Sequence, residues 1–288
     1  MGRLAARYER LKESYLGERA KAVPPEYRSA FVSYGGASEV HYILDRAIPA
    51  SARRVLVVGV FGGRDYFFLK ARGTHELHAL DLDAVPGFDG LRVANVEDPL
   101  PYPQGYFDAI VVNEVIEHLV QDAKALGNVR AALKDDGVLF LSVPFLHESE
   151  PAHVRVHTRV SVERLLACCG FEAAEVIERP GLGFYPSWVN ALNFVASVAT
   201  DAAFGRSAYG VTLPLLGRIE RWAGSRRNPL RRLSPHWGAF FVCRKAARRD
   251  YLADNQHDYC GPQTAASLKH DVPARRDGEP SLGESQAR

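Results

Sequence analysis

The chain has 288 residues, 47% of them hydrophobic, with 36 Lys and Arg against 34 Asp and Glu for a formal net charge of +2. That length and apolar content can bury a full α/β core with appendages. The near balance of charge gives none of the whole-molecule field that nucleic-acid binders carry.

The first segment, MGRLAARYERLKES, is charged and has no apolar signal core, which predicts a cytoplasmic protein. Residues 1–50 read as polar helices, RYERLKESYLGERAKAV and then SEVHYILDRAI, broken at Pro24-Pro25. By themselves they read as a simple packing pair. From Val55 onward strand and helix alternate: strand 53–59, helix, strand 75–82, short strand 90–94, strand 107–113, helix to about 134, strand 137–143. Helix 160–169, strand 171–178 and a last strand at 238–244 follow. This alternation predicts an α/β fold, a doubly wound sheet of about seven strands, mostly parallel with an antiparallel last strand and helices on both faces. Of four cysteines, Cys168, Cys169, Cys243 and Cys260, none has zinc-like C-x-x-C spacing. Cys168 and Cys169 precede Gly170 in an apolar helix, so buried reduced thiols are expected. Residues 250–288 are rich in Asp, Gly, Pro, Ser and Gln without periodicity and are expected to lack order.

Ligands of such sheets bind at the carboxyl ends of the strands, and three strand ends here carry suggestive chemistry. Val55 to Val58 breaks at Gly59, and a turn with Gly62 and Gly63 leads into a helix. Glycine there lets the backbone approach a ligand and points amide N–H groups outward. His78-Ala-Leu-Asp81 ends in a carboxylate 22 residues after Gly59, where an acid can meet ribose hydroxyls. FDAIVVNEVIEHL (107–119) then carries polar residues at its end.

These stretches resemble class I S-adenosylmethionine-dependent methyltransferases, the broad group that reads V-L-D-x-G-C-G-x-G, G-V-D, then F-D-x-V-x-x-x-x-V-x-E-H-L. The matching segments are VLVVGVFGG (55–63), ALD (79–81) and FDAIVVNEVIEHL (107–119), followed by LKDDGVLFLSVPF (133–145). The resemblance spans about 50–178 and resumes near 238–244. It implies a Rossmann-like fold, S-adenosyl-L-methionine as cofactor, and cofactor contacts at Gly59, Val60, Phe61, Gly62, Gly63, Asp81, Leu82, Asn95, Val96 and Asn113. The chain departs from the group at Val57, where an acid is usual, and at Phe61, where glycine is usual. Either Phe61 packs beside the cofactor or the two changes mark a non-catalytic cofactor-binding partner protein. Asn95 could bond an adenine amine, or serve only as a turn residue.

Glu114, Glu117 and His118 would share one face of a helix and could bind a divalent cation, as the same spelling does in small-RNA 2′-O-methyltransferases. The alternative, preferred here, is that Glu117 and His118 orient the next helix, so no metal ligand is assigned. SVPFLHESEPAHVRVHTRVSVERLLACCGF (142–171) places His147, His153 and His157 with Glu148 and Glu150 near the expected acceptor mouth. His147 and His153 are the candidate bases for an acceptor proton.

Residues 180–235 form an insertion between the sixth and last strands. No residue between Arg179 and Asp201 is charged, yet Gly181, Gly183, Pro186, Asn190 and Asn193 argue against a membrane-spanning helix. LPLLGRIERWAGSRRNPLRRL (213–233) then sets Leu216, Ile219 and Trp222 on one stripe beside Arg218, Arg221, Arg226, Arg227, Arg231 and Arg232, with Glu220 the only acid. That pattern suits either peripheral contact with an anionic membrane at its inner face, or a helical covering or dimer interface. The domain expectation is thus a methyltransferase domain 51–249 carrying the insertion, a tail 250–288, and a segment 1–50 that the resemblance implies is a helical cap over the cofactor cleft, with Tyr34, Gly35 and Gly36 as a turn above it, the alternative being the simple packing pair. The functional expectation is O-methylation of a small-molecule, glycan or lipid-linked acceptor. The alternatives are a metal-assisted RNA 2′-O-methyltransferase and the non-catalytic partner protein.

Overall fold

Val55-Leu-Val-Val58 is apolar without alternation because its strand is covered on both faces. A computed structural model, describing residues 2–35, 43–44, 46–60, 62–145, 151–180, 188–224 and 236–250, places it as β1 (Arg54–Val58) within a seven-stranded sheet. The other strands are β2 (Glu76–Asp81), β3 (Leu91–Val93), β4 (Phe107–Asn113), β5 (Leu133–Pro144), β6 (Phe171–Pro180) and β7 (His236–Lys245), in the order β3-β2-β1-β4-β5-β7-β6. Neighbours from β3 to β5 pair in parallel, and β7 inserts antiparallel between β5 and β6. This is the doubly wound, mostly parallel sheet with an antiparallel last strand that the sequence predicts.

Side-chain alternation along β1 divides the core. Leu56 and Val58 pack into one cluster with α5 (Asp122–Ala132) and α6 (Arg159–Cys168). Val55 and Val57 join the other, with α4 (Arg64–Lys70) and the N-terminal helices α1 (Gly2–Leu16), α2 (Glu18–Lys21) and α3 (Pro25–Gly35). Every residue from Val55 to Val58 is at most 2% exposed. Shortening one such side chain to alanine therefore costs about 2–5 kcal/mol for a leucine-sized change.

Several local expectations change. The helical run does break at Pro24, as the sequence predicts, and Pro25 then opens a further helix, α3. Tyr27 and Arg28 donate their N–H groups to the Pro24 carbonyl at 3.0 and 3.1 Å, and proline at the first helical position forfeits no hydrogen bond. Tyr34 and Gly35 finish this helix, and Gly36 lies outside the described residues. Glu114, Glu117 and His118 do not share a helix face. Only Ile116–His118 is helical, as one 3-10 turn, and Glu114 is the first residue after β4. Cys169 and Cys243 are buried, but Cys168 is exposed on α6. Cys260 and the remainder of the tail from 251 lie outside the described residues.

The insertion contributes α7 (Trp188–Phe204) and α8 (Tyr209–Gly224), which fold back on α1. Tyr8 sets its ring 5.0 Å from Phe194 and 5.7 Å from Tyr209, and Tyr15 lies 5.1 Å from Tyr209. Asn193, fully buried, donates to the Tyr8 hydroxyl and accepts from the hydroxyls of Ser197 and Thr212. Burial raises the Tyr8 phenol to about 12, so this polar knot stays uncharged. No helix among the described residues is long and apolar enough to cross a membrane.

His157 closes the loop after β5 by bridging Phe145 in parallel. It is 5% exposed, and burial lowers its imidazole below the ordinary 6.5. The unfolded chain then takes up this proton first as pH falls. Stability is constant above about 6.5, declines below it, and stops declining once pH passes the folded-state value. His75, also lowered by burial, acts in the same direction. Urea midpoints measured from pH 7.5 to 5 should therefore fall, and His157→Gln should flatten the slope. An unchanged slope in that variant refutes the assignment.

Candidate active site

The carboxyl ends of β1, β2 and β4 and the turn after β3 surround a cavity of about 560 Å³. The first wall is the glycine turn. Gly59 holds a left-handed φ of 72°, and a Cβ there would sit 2.7 Å from Val115 Cγ2. Gly63, at φ 70°, would drive a Cβ to 2.5 Å from the Phe67 ring. Only glycine meets both demands, left-handed backbone and no room for a side chain. Gly63 donates to the Val60 carbonyl at 2.8 Å and closes the turn.

Asp81 faces this turn from the end of β2. Its Oδ2 accepts the Val60 N–H at 2.8 Å, so the carboxylate helps fix the loop as well as lining the cavity. Beyond β3, Asn95 Oδ1 accepts the Glu97 N–H at 2.9 Å, which makes Asn95 a turn residue that also lines the cavity. Asn128 pins the same turn by donating to the carbonyls of Val96 and Asp98. Val96 is 6% exposed and presents an apolar side to the cavity.

A buried polar chain forms the opposite wall. Arg64 donates to Asp65 through Nε at 2.9 Å and Nη2 at 3.0 Å, and Asn113 Nδ2 donates to Asp65 Oδ2 at 2.7 Å. The Ser142 hydroxyl lies between Asn113 Oδ1 and Glu114 Oε1. Glu114 is the one non-glycine residue with positive φ, 57°, among those described. Such backbone costs about 1–2 kcal/mol and is held by the hydrogen bond from Ser142.

Next to this wall, Glu117, His118 and His153 bring ligand-type atoms within 4.8 Å of one another. His118 Nδ1 lies 2.9 Å from the Ala152 carbonyl. A carbonyl can only accept, so Nδ1 carries the proton and Nε2 keeps its lone pair. That Nε2 is 3.9 Å from Glu117 Oε1, and the His153 ring lies 4.9 Å away. Glu117 is 1% exposed, while His118 reaches the cavity wall. This donor set can hold a divalent cation, or act as an imidazole base backed by a carboxylate.

Gly59, Val60, Gly62, Gly63, Asp81, Leu82, Asn95, Val96 and Asn113 thus all line one cavity. Phe61 and His147 lie outside the described residues, and His153 stands behind His118. Among the described residues the lining begins at Val57, so none of the described N-terminal helical residues contributes to it. Sequence reasoning passed over Arg64, Asp65 and Ser142. The adjacent opposite charges directly after Gly63 were the available signal, and they read as an ordinary helix start.

A parallel sheet whose glycine turn, acidic β2 end and polar β4 end enclose a nucleoside-sized cavity defines the class I methyltransferase architecture. Residues 37–176, just under half of the chain, match the family model described as a methyltransferase domain. The sequence matches no curated protein. Among solved structures it is similar to an S-adenosylmethionine-dependent methyltransferase from Archaeoglobus fulgidus, at 15% identity over 83% of this chain and 99% of that one, with a TM-score of 0.49. It is also similar to a Burkholderia thailandensis 1,6-didemethyltoxoflavin-N1-methyltransferase bound to 1,6-didemethyltoxoflavin and S-adenosylhomocysteine. There the identity is 18% over 78% and 91% of the two chains, with a TM-score of 0.46. The cavity can admit the cofactor by size, since ligand pockets run about 300–1,000 Å³, and has a glycine turn with the Asp81 carboxylate beside it.

Calorimetry tests the cradle. Asp81→Ala should weaken S-adenosylhomocysteine binding by about 1.5–3 kcal/mol for each ribose hydroxyl that no longer donates to a carboxylate. Gly63→Ala, at φ 70° and against Phe67, should reduce binding at least as much. Wild-type affinity in both variants refutes the cavity as the cofactor site.

Proposed function

We propose that the protein methylates a hydroxyl oxygen of a small-molecule, glycan or lipid-linked acceptor, working at an anionic membrane surface. The oxygen assignment is carried by His118, an imidazole on the cavity wall backed by buried Glu117. S-adenosylmethionine supplies a methyl group on a positively charged sulfur. Asp81 would accept from the ribose hydroxyls and the glycine turn at Gly59, Gly62 and Gly63 would cradle the nucleoside, with Phe61 a further contact that the sequence implies. Leu82, Asn95 and Val96 flank the base and Asn113 the methionine end, so the wall contributes position and orientation.

A neutral hydroxyl is a poor nucleophile, so a base that takes its proton as the oxygen attacks lowers the barrier. His118 Nε2 has the lone pair for this, and the Glu117 carboxylate 3.9 Å away stabilises the cation that results. His153, beside the ring, passes the proton outward, and His147 is the other candidate base from the sequence. With radiolabelled cofactor and cell extracts as the acceptor source, His118→Gln should lower kcat by about 10²–10⁴-fold. Cofactor affinity should stay within about twofold. Unchanged turnover in both His118→Gln and His153→Gln removes the base from this cluster.

The grouping of Glu117, His118 and His153 also supports a metal-assisted reading, with 2′-O-methylation of RNA as its substrate class. A backbone carbonyl orienting Nδ1 is the arrangement that metal-bound histidines use. The near-balanced charge favours the metal-free base. Activity is expected to survive a strong chelator, with no divalent ion copurifying in stoichiometric amount. Loss restored by added magnesium or manganese selects the metal reading instead.

The membrane reading rests on α7 and α8. Each turns polar or aromatic groups toward α1 and leaves an apolar stripe outside: Leu192 and Val195 on α7, and Val211, Leu215, Ile219 and Trp222 on α8, all exposed. Phe204, 77% exposed, stands at the end of α7. In the sequence Arg226, Arg227, Arg231 and Arg232 follow α8, outside the described residues. The protein should float with anionic vesicles, not with neutral ones, and high salt should release it, because exposed charges are screened over about 8 Å. Replacing the four arginines with glutamine should abolish flotation and spare cofactor binding. A protein that stays in solution and runs as a dimer broken by Leu215→Ser and Trp222→Ser makes this face an oligomer interface.

A further inference from the structure

The cavity has two chemically different ends. Asp81 and the Asn95-Val96 turn face the nucleoside side, while Arg64, Asp65, Asn113 and Glu114 gather at the other. There Arg64 and Asp65 pair with each other on the cavity wall, 18% and 9% exposed, and present a positive and a negative group side by side. The cofactor has a group of opposite sign for each. Its amino-acid end carries an ammonium and a carboxylate, and its sulfur carries a further positive charge. The wall's formal charges are Arg64 at +1 with Asp65 and Glu114 at −1 each, a net −1 opposite a cofactor segment of net +1.

We infer that Arg64 and Asp65 form a charge clamp for the amino-acid end of the cofactor, Arg64 receiving its carboxylate and Asp65 its ammonium. The clamp rests on this cavity being the cofactor site. Val57 is apolar and 1% exposed, so β1 itself brings no charge to this end. The clamp instead stands one turn later, at the start of α4, where Gly63 lets the chain turn directly from the cradle into Arg64 and Asp65. Asn113 and Ser142 hold the acid from behind. Asn113 donates to Asp65 Oδ2, and the Ser142 hydroxyl lies against Asn113 Oδ1, both side chains being at most 6% exposed. A guanidinium suits the planar carboxylate because it offers parallel N–H donors, which an ammonium cannot. The rival account is that Asp65 merely stabilises the positive end of α4, as acids in a first helical turn do.

Four ligands separate these accounts in calorimetry: S-adenosylmethionine, S-adenosylhomocysteine, decarboxylated S-adenosylmethionine, and 5′-methylthioadenosine, which lacks the whole amino-acid end. Asp65→Asn should weaken the three amine-bearing ligands by about tenfold or more and leave methylthioadenosine within about twofold. Arg64→Gln should weaken the two carboxylate-bearing ligands similarly and spare the decarboxylated one. If Asp65→Asn lowers the melting temperature enough to prevent binding measurements, the neutral pair Arg64→Gln with Asp65→Asn restores charge balance. It should show the same ligand pattern. Equal losses on methylthioadenosine overturn the clamp in favour of the helix-stabilising role, as does retention of all four affinities. No binding of any adenosine ligand to the unaltered protein overturns the cofactor site, and the clamp with it.

Discussion

The left-handed backbone at Gly59 is the constraint on which the site depends. β1 ends there because the N–H of Gly59 still reaches the Leu80 carbonyl at 2.9 Å, while the chain turns away over Val115. With 2.7 Å between a notional Cβ and the Val115 methyl, any other residue would push β1 and the β4 end apart. That close approach sets the distance between the cradle and the wall holding Asn113 and Glu114. The Val60 N–H then finds Asp81, which ties β2 into the same closure. Three strand ends are thereby joined through one turn, before any ligand enters.

Much of this was legible in the sequence because it rests on local rules. Continuous β-branched runs mark strands buried on both faces, and glycine at their ends marks backbone that only glycine tolerates. Hence the sheet, its parallel sense and the positions of Gly59, Gly63 and Asp81 could be read directly. Long-range packing could not. Whether Pro24-Pro25 breaks or begins a helix depends on Pro25 taking the first helical position, after which Tyr27 lies against Phe67 and Phe88. Glu114-Val-Ile-Glu-His118 has helical spacing, but β4 continues to Asn113 and the strand end turns Glu114 toward Ser142. Periodicity alone gives no sign of that hydroxyl, which arrives from β5. Arg64 and Asp65 were hidden for the same reason, since Asn113 reaches Asp65 across 48 residues of chain.

The segments before and after the methyltransferase core are mutually dependent. α1 packs its aromatic side chains Tyr8 and Tyr15 on α7 and α8, and Arg7 pairs with Asp201. The apolar side of each insertion helix is therefore only partly used in packing, and the rest remains outside. α3 meanwhile packs on α4 through Tyr27 and Phe67, so the N-terminal helices touch both the insertion and the helix that carries Arg64 and Asp65. A change in how α7 and α8 are engaged has a continuous packed route to Arg64 and Asp65 on the cavity wall.

The placement of β7 between β5 and β6 also governs the order in which the molecule can be completed on the ribosome. Among the described residues β6 pairs only with β7, and the β5 side facing it is likewise bonded by β7. Until the chain has emerged past Lys245, two long strand edges, one of them carrying the apolar run Val138–Leu141 of β5, have no hydrogen-bonding neighbour on that side. Unpaired edges of this kind are templates for intermolecular pairing. The nascent chain thus depends on holding β6 and the insertion apart from other chains until the last strand enters the middle of the sheet.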